Sequence, residues 1–246
     1  MIDTTLKTYA TRQLAAVLLA LGLASSLTLI GRSDAQPRPN TATSLLPSIT
    51  GRATVIDGDT IDVAGLRIRL EGIDAPESSQ TCLTAAGQVW PCGSVATREL
   101  GRLMAGRDVS CENRGLDKYG RTLGICSVGS LDINAEMVRQ GWAWAFVKYS
   151  QAYVAVEEQA RGNRAGIWQG QAVPAWDFRA ARWSVAEAKA PEGCAIKGNV
   201  TRNERIYHMP WSPWYDKIRM EGDKAKRWFC SEAEAMQAGW RPAQTR

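Results

Sequence analysis

Five charged positions carry the residue types from which a reaction centre can be built: Asp59, Arg69, Asp74, Glu77 and Arg121. Asp59 closes an Asp57-Gly58-Asp59 turn. Asp74 and Glu77 flank Ala75-Pro76, and Arg121 ends the run Asp117-Lys118-Tyr119-Gly120-Arg121. Pro76 holds the preceding residue extended, and a hairpin ending at Asp59 brings a second carboxylate beside Asp74. Two carboxylates, a neighbouring backbone carbonyl and water suit a hard cation that takes about 6–8 oxygens, namely Ca2+. A third carboxylate off the cation can orient or deprotonate water. Two guanidinium groups can fork onto a phosphate and oppose charge developing at phosphorus. Each residue alone has a plainer reading, since Asp-Gly is a common turn signal and a lone arginine on a strand is usually solvated.

The elements that must position these residues begin at Gly51. Ala53–Asp57, Thr60–Val63 and Leu66–Leu70 read as short strands separated by Asp57-Gly58-Asp59 and Ala64-Gly65 turns. In the third strand Leu66, Ile68 and Leu70 share one face, while Arg67, Arg69 and Glu71 share the other. A polar, cysteine-bounded insertion runs from Glu77 to Cys92. The spacing of Ala96, Leu100 and Met104 predicts a helix over 94–105. A hairpin over 107–128 follows, then a helix capped by Asp132 and closed by Gly141, and a third helix from Ser150 to about Asn163. Three strands, a helix, two strands and two helices give a five-stranded β-barrel of OB type with about three helices packed around it.

Composition narrows the chemistry. The 246 residues contain one histidine, His208, so neither an HExxH site nor a Cys2His2 finger can be assembled. No GxSxG accompanies it to suggest a serine hydrolase. The chain holds 30 Lys+Arg against 25 Asp+Glu, a net charge of +5, which is compatible with an anionic partner without naming one. The excess is uneven: residues 51–170 carry 13 basic and 14 acidic residues, and residues 171–246 carry 13 and 9.

The charged constellation resembles the staphylococcal nuclease (thermonuclease) family. The matching stretches are Val55–Ile61, Arg69–Glu77, Asp117–Arg121, Met137–Gly141, Tyr153–Ala160 and Gly166–Trp168, so the likeness covers about 51–170. The resemblance implies an OB barrel and Ca2+-dependent hydrolysis of phosphodiester bonds in DNA and RNA. It places the calcium carboxylates on Asp59 and Asp74, the carbonyl ligand on Ala75, the water-activating glutamate on Glu77 and the phosphate-binding arginines on Arg69 and Arg121. Asp57 falls one layer behind the ligands. Lys118 and Tyr119 match positions near a terminal phosphate of bound nucleotide, and Tyr149 aligns loosely with an aromatic pocket. Ala75 stands where the best-known member of that family has threonine, and the 78–92 insertion is extra. A non-catalytic OB module that binds nucleic acid or another anionic polymer is the alternative reading.

The remaining segments set the context. Residues 1–35 read as an export signal, with an uncleaved anchor as the alternative, and 36–50 as a flexible leader. Six cysteines beyond that signal point to disulfides in an extracytoplasmic protein. Nearest-neighbour pairing is expected: Cys82–Cys92, Cys111–Cys126 and Cys194–Cys230. The middle pair is equidistant from the centre of the Asp117–Gly120 turn. Residues 171–190 read as a partly helical linker, and 191–246 as a small Cys- and Trp-rich module. That module is either a stapled mini-domain with a tryptophan core or a stacking platform for an anionic polymer. A zinc site from Cys194, His208 and Cys230 lacks a fourth ligand. The expected partner is a DNA or RNA substrate, engaged by a monomer with no obligatory protein partner, and any membrane contact would run through the amino-terminal segment.

Overall fold

Alternating burial begins at Ile49 and runs to Val55, so the first strand, β1 (Ile49–Val55), starts two residues inside the stretch expected as leader. The computed structural model describes residues 47–117, 119–201, 204–222 and 225–243. The signal-like segment and Lys118 therefore lie outside the described residues.

β1 pairs antiparallel with β2 (Thr60–Val63), and β2 with β3 (Leu66–Leu70). The β2–β3 loop is a two-residue turn in which Ala64 and Gly65 both take positive φ, at 52° and 81°. That geometry matches strand twist in tight hairpins. After a helix the chain returns as a second hairpin, β4 (Asp108–Leu116) and β5 (Thr122–Val128). β4 pairs with β1, and β5 runs parallel to β3, with Arg69 opposite Leu123. The order β1-β2-β3-β5-β4-β1 closes a five-stranded barrel of the OB plan. Closure needs Gly124, where an added Cβ would lie 2.6 Å from the Ile68 side chain across the β3–β5 seam. Inside the barrel Cys111 and Cys126 stand directly opposite each other and are joined.

Helix α1 (Cys92–Met104) buries Ala96, Leu100, Leu103 and Met104 against the barrel. Helix α2 (Ile133–Arg139) starts where the Asp132 side chain accepts from the Ala135 N–H, and it buries Ile133, Met137 and Val138. Buried Asn134 ties α2 to the barrel by accepting from Cys126 N–H and donating to the carbonyls of Glu71 and Gly124. Helix α3 (Val154–Gly162) and a short 3-10 turn over 166–169 complete this half. No helix among the described residues is long and apolar enough to cross a membrane.

The insertion folds into a loop closed by the Cys82–Cys92 disulfide. Gln80, 1% exposed, organises it: its side-chain carbonyl accepts from Glu77 N–H, its amide donates to the Val173 carbonyl, and its backbone carbonyl accepts from Gly93 N–H. Gly93, in the first turn of α1, lies so close that an added Cβ would fall 1.7 Å from the Glu77 carbonyl oxygen.

The segment expected as a linker is helix α4 (Ala175–Glu187). Beyond it lies a four-stranded sheet, in the order β8-β6-β7-β9, of β6 (Ile196–Thr201), β7 (Glu204–His208), β8 (Arg227–Phe229) and β9 (Arg241–Pro242). Helix α5 (Glu232–Gln237) follows β8, capped by the Ser231 hydroxyl accepting from Glu234 N–H. Ile196, Tyr207, Phe229, Ala235 and Trp240 form the core of this module, so large side chains and a staple do supply its interior. The Cys194–Cys230 bond removes both thiols from any zinc site. All three disulfides follow nearest-neighbour pairing.

Two predictions follow from this packing. Gly93→Ala must displace the Glu77 backbone and should cost about 2–4 kcal/mol in chemical denaturation. Gly101→Ala, on the same helix with its nearest contact at an ordinary 3.4 Å, should be near neutral or stabilising. His208 concerns the tail: burial and Lys197, which faces it across the strand pair, push it down to about 4. An unfolded chain therefore takes up this proton first as pH falls from about 6.5 towards 4, and stability present in full above that window is lost through it. Denaturation at pH 7 and pH 4.5 should show a drop in wild type that exceeds that of His208→Gln by on the order of 2 kcal/mol. Equal drops would remove His208 as the cause.

Candidate active site at the barrel mouth

Asp59 is placed by the turn between β1 and β2 and is only 4% exposed. Its backbone carbonyl accepts from Leu70 N–H at 2.8 Å, which pins the turn to β3. Its side chain accepts from the Ala75 N–H (Oδ2, 2.9 Å), from the Thr60 hydroxyl (Oδ1, 3.1 Å) and from Arg69 Nη1. Arg69 lies opposite Thr60 in the β2–β3 register, so its guanidinium lands beside Asp59. Its Nη2 donates to Asp74 Oδ1 at 2.9 Å. Asp74 and Ile73 form a short strand paired with Trp144–Ala145, and Asp74 is fully buried. Asp59, Arg69, Asp74, Ala75 and Glu77 thus meet at one end of the barrel. Asp57 stands behind them, its Oδ1 accepting from Asp59 N–H at 3.1 Å.

A further arginine joins them. Arg179 of α4 donates from Nη1 to Asp74 Oδ1 (3.1 Å) and Glu77 Oε1 (2.8 Å), and from Nη2 to Asp74 Oδ2 (2.7 Å). Its helix is anchored by Trp176, which stacks on Phe146 at 5.6 Å and meets Trp144 edge-on at 6.0 Å. Trp176 and Arg179 are three residues apart and so share a helix face. On the other side of the site Ser79 Oγ donates to the Trp211 carbonyl at 2.6 Å, joining the insertion to the tail.

Charge density at the site is visible in its protonation equilibria. Burial pushes Glu77 up to about 8, with repulsion from Asp57 and Asp59 adding to it and Arg179 opposing. Burial and the neighbouring Asp59 push Asp57 up to about 7. Burial resists ionisation of Asp59 as well, yet Arg69, the Ala75 amide, Arg179 and Arg121 hold its carboxyl below the usual range. Burial disfavours charge on Arg69 and Arg179, but the carboxylates they contact raise both, so the guanidinium groups stay charged.

The other expected residues lie at the rim. Arg121 gives Nε to Asp117 Oδ2 at 2.7 Å and sits over the Tyr119 ring at 5.4 Å; it acts on Asp59 through charge and not contact. Asp117 Oδ1 also accepts from the backbone N–H of Tyr119 and Arg121, which fixes the turn. Tyr149 is exposed and meets Phe146 edge-on at 5.0 Å, within the aromatic group that receives α4. The donors around Asp59, Asp74, the Ala75 carbonyl and Glu77 are hard oxygens, the chemistry a divalent cation such as Ca2+ requires. Among the described residues no three His, Cys, Asp or Glu side chains converge as a ligand set; Asp59, Asp74 and Glu77 are engaged by Arg69 and Arg179. Arg179 gave no spacing signal of its own in the sequence; the trace of its helix was the pair of tryptophans at 176 and 183 that flank it.

Comparison with known proteins agrees with this arrangement. A family model described as staphylococcal nuclease homologue matches residues 67–170, and one described as ArfC matches residues 179–242. Succinoglycan biosynthesis protein ExoI of Rhizobium meliloti (strain 1021) is 39% identical over 126 residues, which is 50% of this chain and 66% of that protein. Protein ParB of Escherichia coli is 36% identical over 143 residues (51% and 75%), and micrococcal nuclease of Shigella flexneri is 35% identical over 145 residues (52% and 78%). The matched stretches are about half of this chain. With an OB barrel that gathers Asp59, Arg69, Asp74 and Glu77 at its mouth, the chain belongs to the staphylococcal nuclease homologue family.

Proposed function

We propose that the protein is an extracytoplasmic, Ca2+-dependent nuclease that hydrolyses phosphodiester bonds of DNA or RNA. The observation that carries this reading is the arginine-linked chain of Asp59, Asp74 and Glu77 at the barrel mouth, Arg69 joining the first two and Arg179 the last two, with Arg121 within electrostatic reach. A non-catalytic binding barrel has no need to bury such a set, because buried carboxylates and guanidinium groups carry a desolvation cost that binding alone does not offset. Relatives named as nucleases support the same activity. Three disulfides support an oxidising compartment.

Asp59, Asp74 and the Ala75 carbonyl would hold the cation. When bound, it would supply Lewis-acid polarisation of a phosphoryl oxygen. Arg69 reaches the same place from β3 and offers donors to the phosphate. Glu77, held by Gln80 and the closed loop, orients the attacking water and takes its proton. Arg121, its Nε fixed by Asp117, keeps its terminal nitrogens for the charge that builds on the leaving oxygen and the equatorial oxygens. Substrate would approach over Tyr119, whose ring lies under the Arg121 guanidinium.

Plasmid DNA and RNA incubated with the purified chain should be degraded with Ca2+ and left intact with chelator. Glu77→Gln and Arg121→Ala should each lose at least about 10³-fold in kcat while circular dichroism stays unchanged. Near-wild-type hydrolysis by either variant would sink the role assignment. Nucleic acid that is retained but uncut under every cation would favour the binding module.

A further inference from the structure

Arg179 occupies the lone pairs that matter most at the site. Both oxygens of Asp74 accept from it, and so does Glu77 Oε1. Its side chain is 21% exposed and Asp74 is fully buried, so this is not a solvated surface pair. The contact is built and not incidental, because α4 is fixed at both ends. Trp176 stacks on Phe146 of the barrel half, and Trp183, two turns on, packs against both apolar clusters of the tail. Arg182, next to it, donates to the Pro210 carbonyl at 3.1 Å and pairs with Asp216 at 2.8 Å. Gln80 holds the residues before the helix through the Val173 carbonyl at 2.6 Å.

The geometry points to Arg179 as a tethered counter-cation of the metal carboxylates: it holds Asp74 and Glu77 in the cation-free protein and must release them for a divalent cation to be bound. This rests on the nuclease reading of the site. The physical basis is competition for the same oxygens together with like-charge repulsion in a buried setting. Without Arg179, Asp59 and Asp74 would keep only Arg69 in direct contact and Glu77 would lose its guanidinium partner, leaving a deficit of positive charge that a divalent cation satisfies. Arg179 fills part of that deficit in advance. Cation affinity is thereby lowered and coupled to how α4 is seated, and Arg179 is a positioning residue supplied from outside the barrel.

The test is calorimetric titration of Ca2+ into the full chain, comparing wild type with Arg179→Gln and Arg179→Lys, each first shown to be folded by its melting curve. Removing a competing charge should tighten Ca2+ binding by about 10- to 100-fold in Arg179→Gln, the range of a substantial coupling between sites. Arg179→Lys should fall between, because a point charge cannot fork onto both carboxylates. The rise of melting temperature with Ca2+ should follow the same order, and it serves if one variant is too unstable for calorimetry. A merely structural role predicts the opposite sign, since loosening α4 would disturb Asp74 and weaken binding. Unchanged or weaker affinity in Arg179→Gln overturns the role of Arg179 and leaves the nuclease reading standing. Absence of Ca2+ binding in all three proteins overturns the metal site on which both depend.

Discussion

The bridge from Arg69 to Asp59 and Asp74 is the interaction on which the rest of this structure depends. Without it the buried Asp59 would lose its guanidinium contact, and breaking a buried pair in this way can cost about 3–5 kcal/mol. The barrel is arranged to make the bridge unavoidable. The tight Ala64-Gly65 turn sets the β2–β3 register, the register sets Arg69 opposite Thr60, and Asp59 is the next residue back along the chain. Asp59 in turn holds Leu70 through its backbone carbonyl and Ala75 through its side chain. One aspartate therefore fastens three successive pieces of chain, which is more than a turn residue does. The same bonds that keep the mouth of the barrel closed hold the oxygens in place for chemistry.

Charge is distributed so that the half containing the site is close to neutral, with 13 basic against 14 acidic residues over 51–170, while 171–246 carries 13 against 9. Attraction of a polyanion by the barrel half must therefore be local, from Arg69, Arg121 and a bound cation, and not from a general field. Arg179 is drawn from the positive half and delivered into the acidic centre of the other. The joining helix α4 is thus an electrostatic contributor to the site.

What the sequence made legible was local in character. Asp59, Asp74, Ala75 and Glu77 lie within a short run, and turn residues with a following proline constrain where such side chains go. Cys111 and Cys126 could be paired because a hairpin makes symmetric positions face each other, as they do in the β4–β5 register. The Asp132 cap and the apolar stripe of α1 follow from helix geometry alone. Arg179 escaped because it meets Asp74 and Glu77 across more than a hundred residues, and no periodicity records such a contact. Reading 171–190 as a linker hid it further. The aromatic residues at 176 and 183 repeat at heptad spacing, which marks a helix buried along one stripe, but the partner of that stripe could not be named before the fold was in hand. Leu66 shows where alternation stops short: it shares a face with the buried Ile68 and Leu70, yet it is 42% exposed at the start of β3.

The gap between the two family matches, one ending at residue 170 and the other beginning at residue 179, takes in the first turn of α4. Neither contains Trp176, yet that ring makes the packing contact that seats the helix on the barrel half. The helix is a single rigid rod, with about 10 Å separating residues seven apart, so fixing Trp176 on one side and Trp183 on the other leaves the intervening arginine little freedom of placement. A site divided between two modules in this way differs from the sum of its parts. The barrel alone would keep Asp59, Arg69, Asp74 and Glu77 but lose a partner of Asp74, and the tail alone would carry an arginine with nothing to neutralise. The joining helix is the element in which fold and chemistry are least separable.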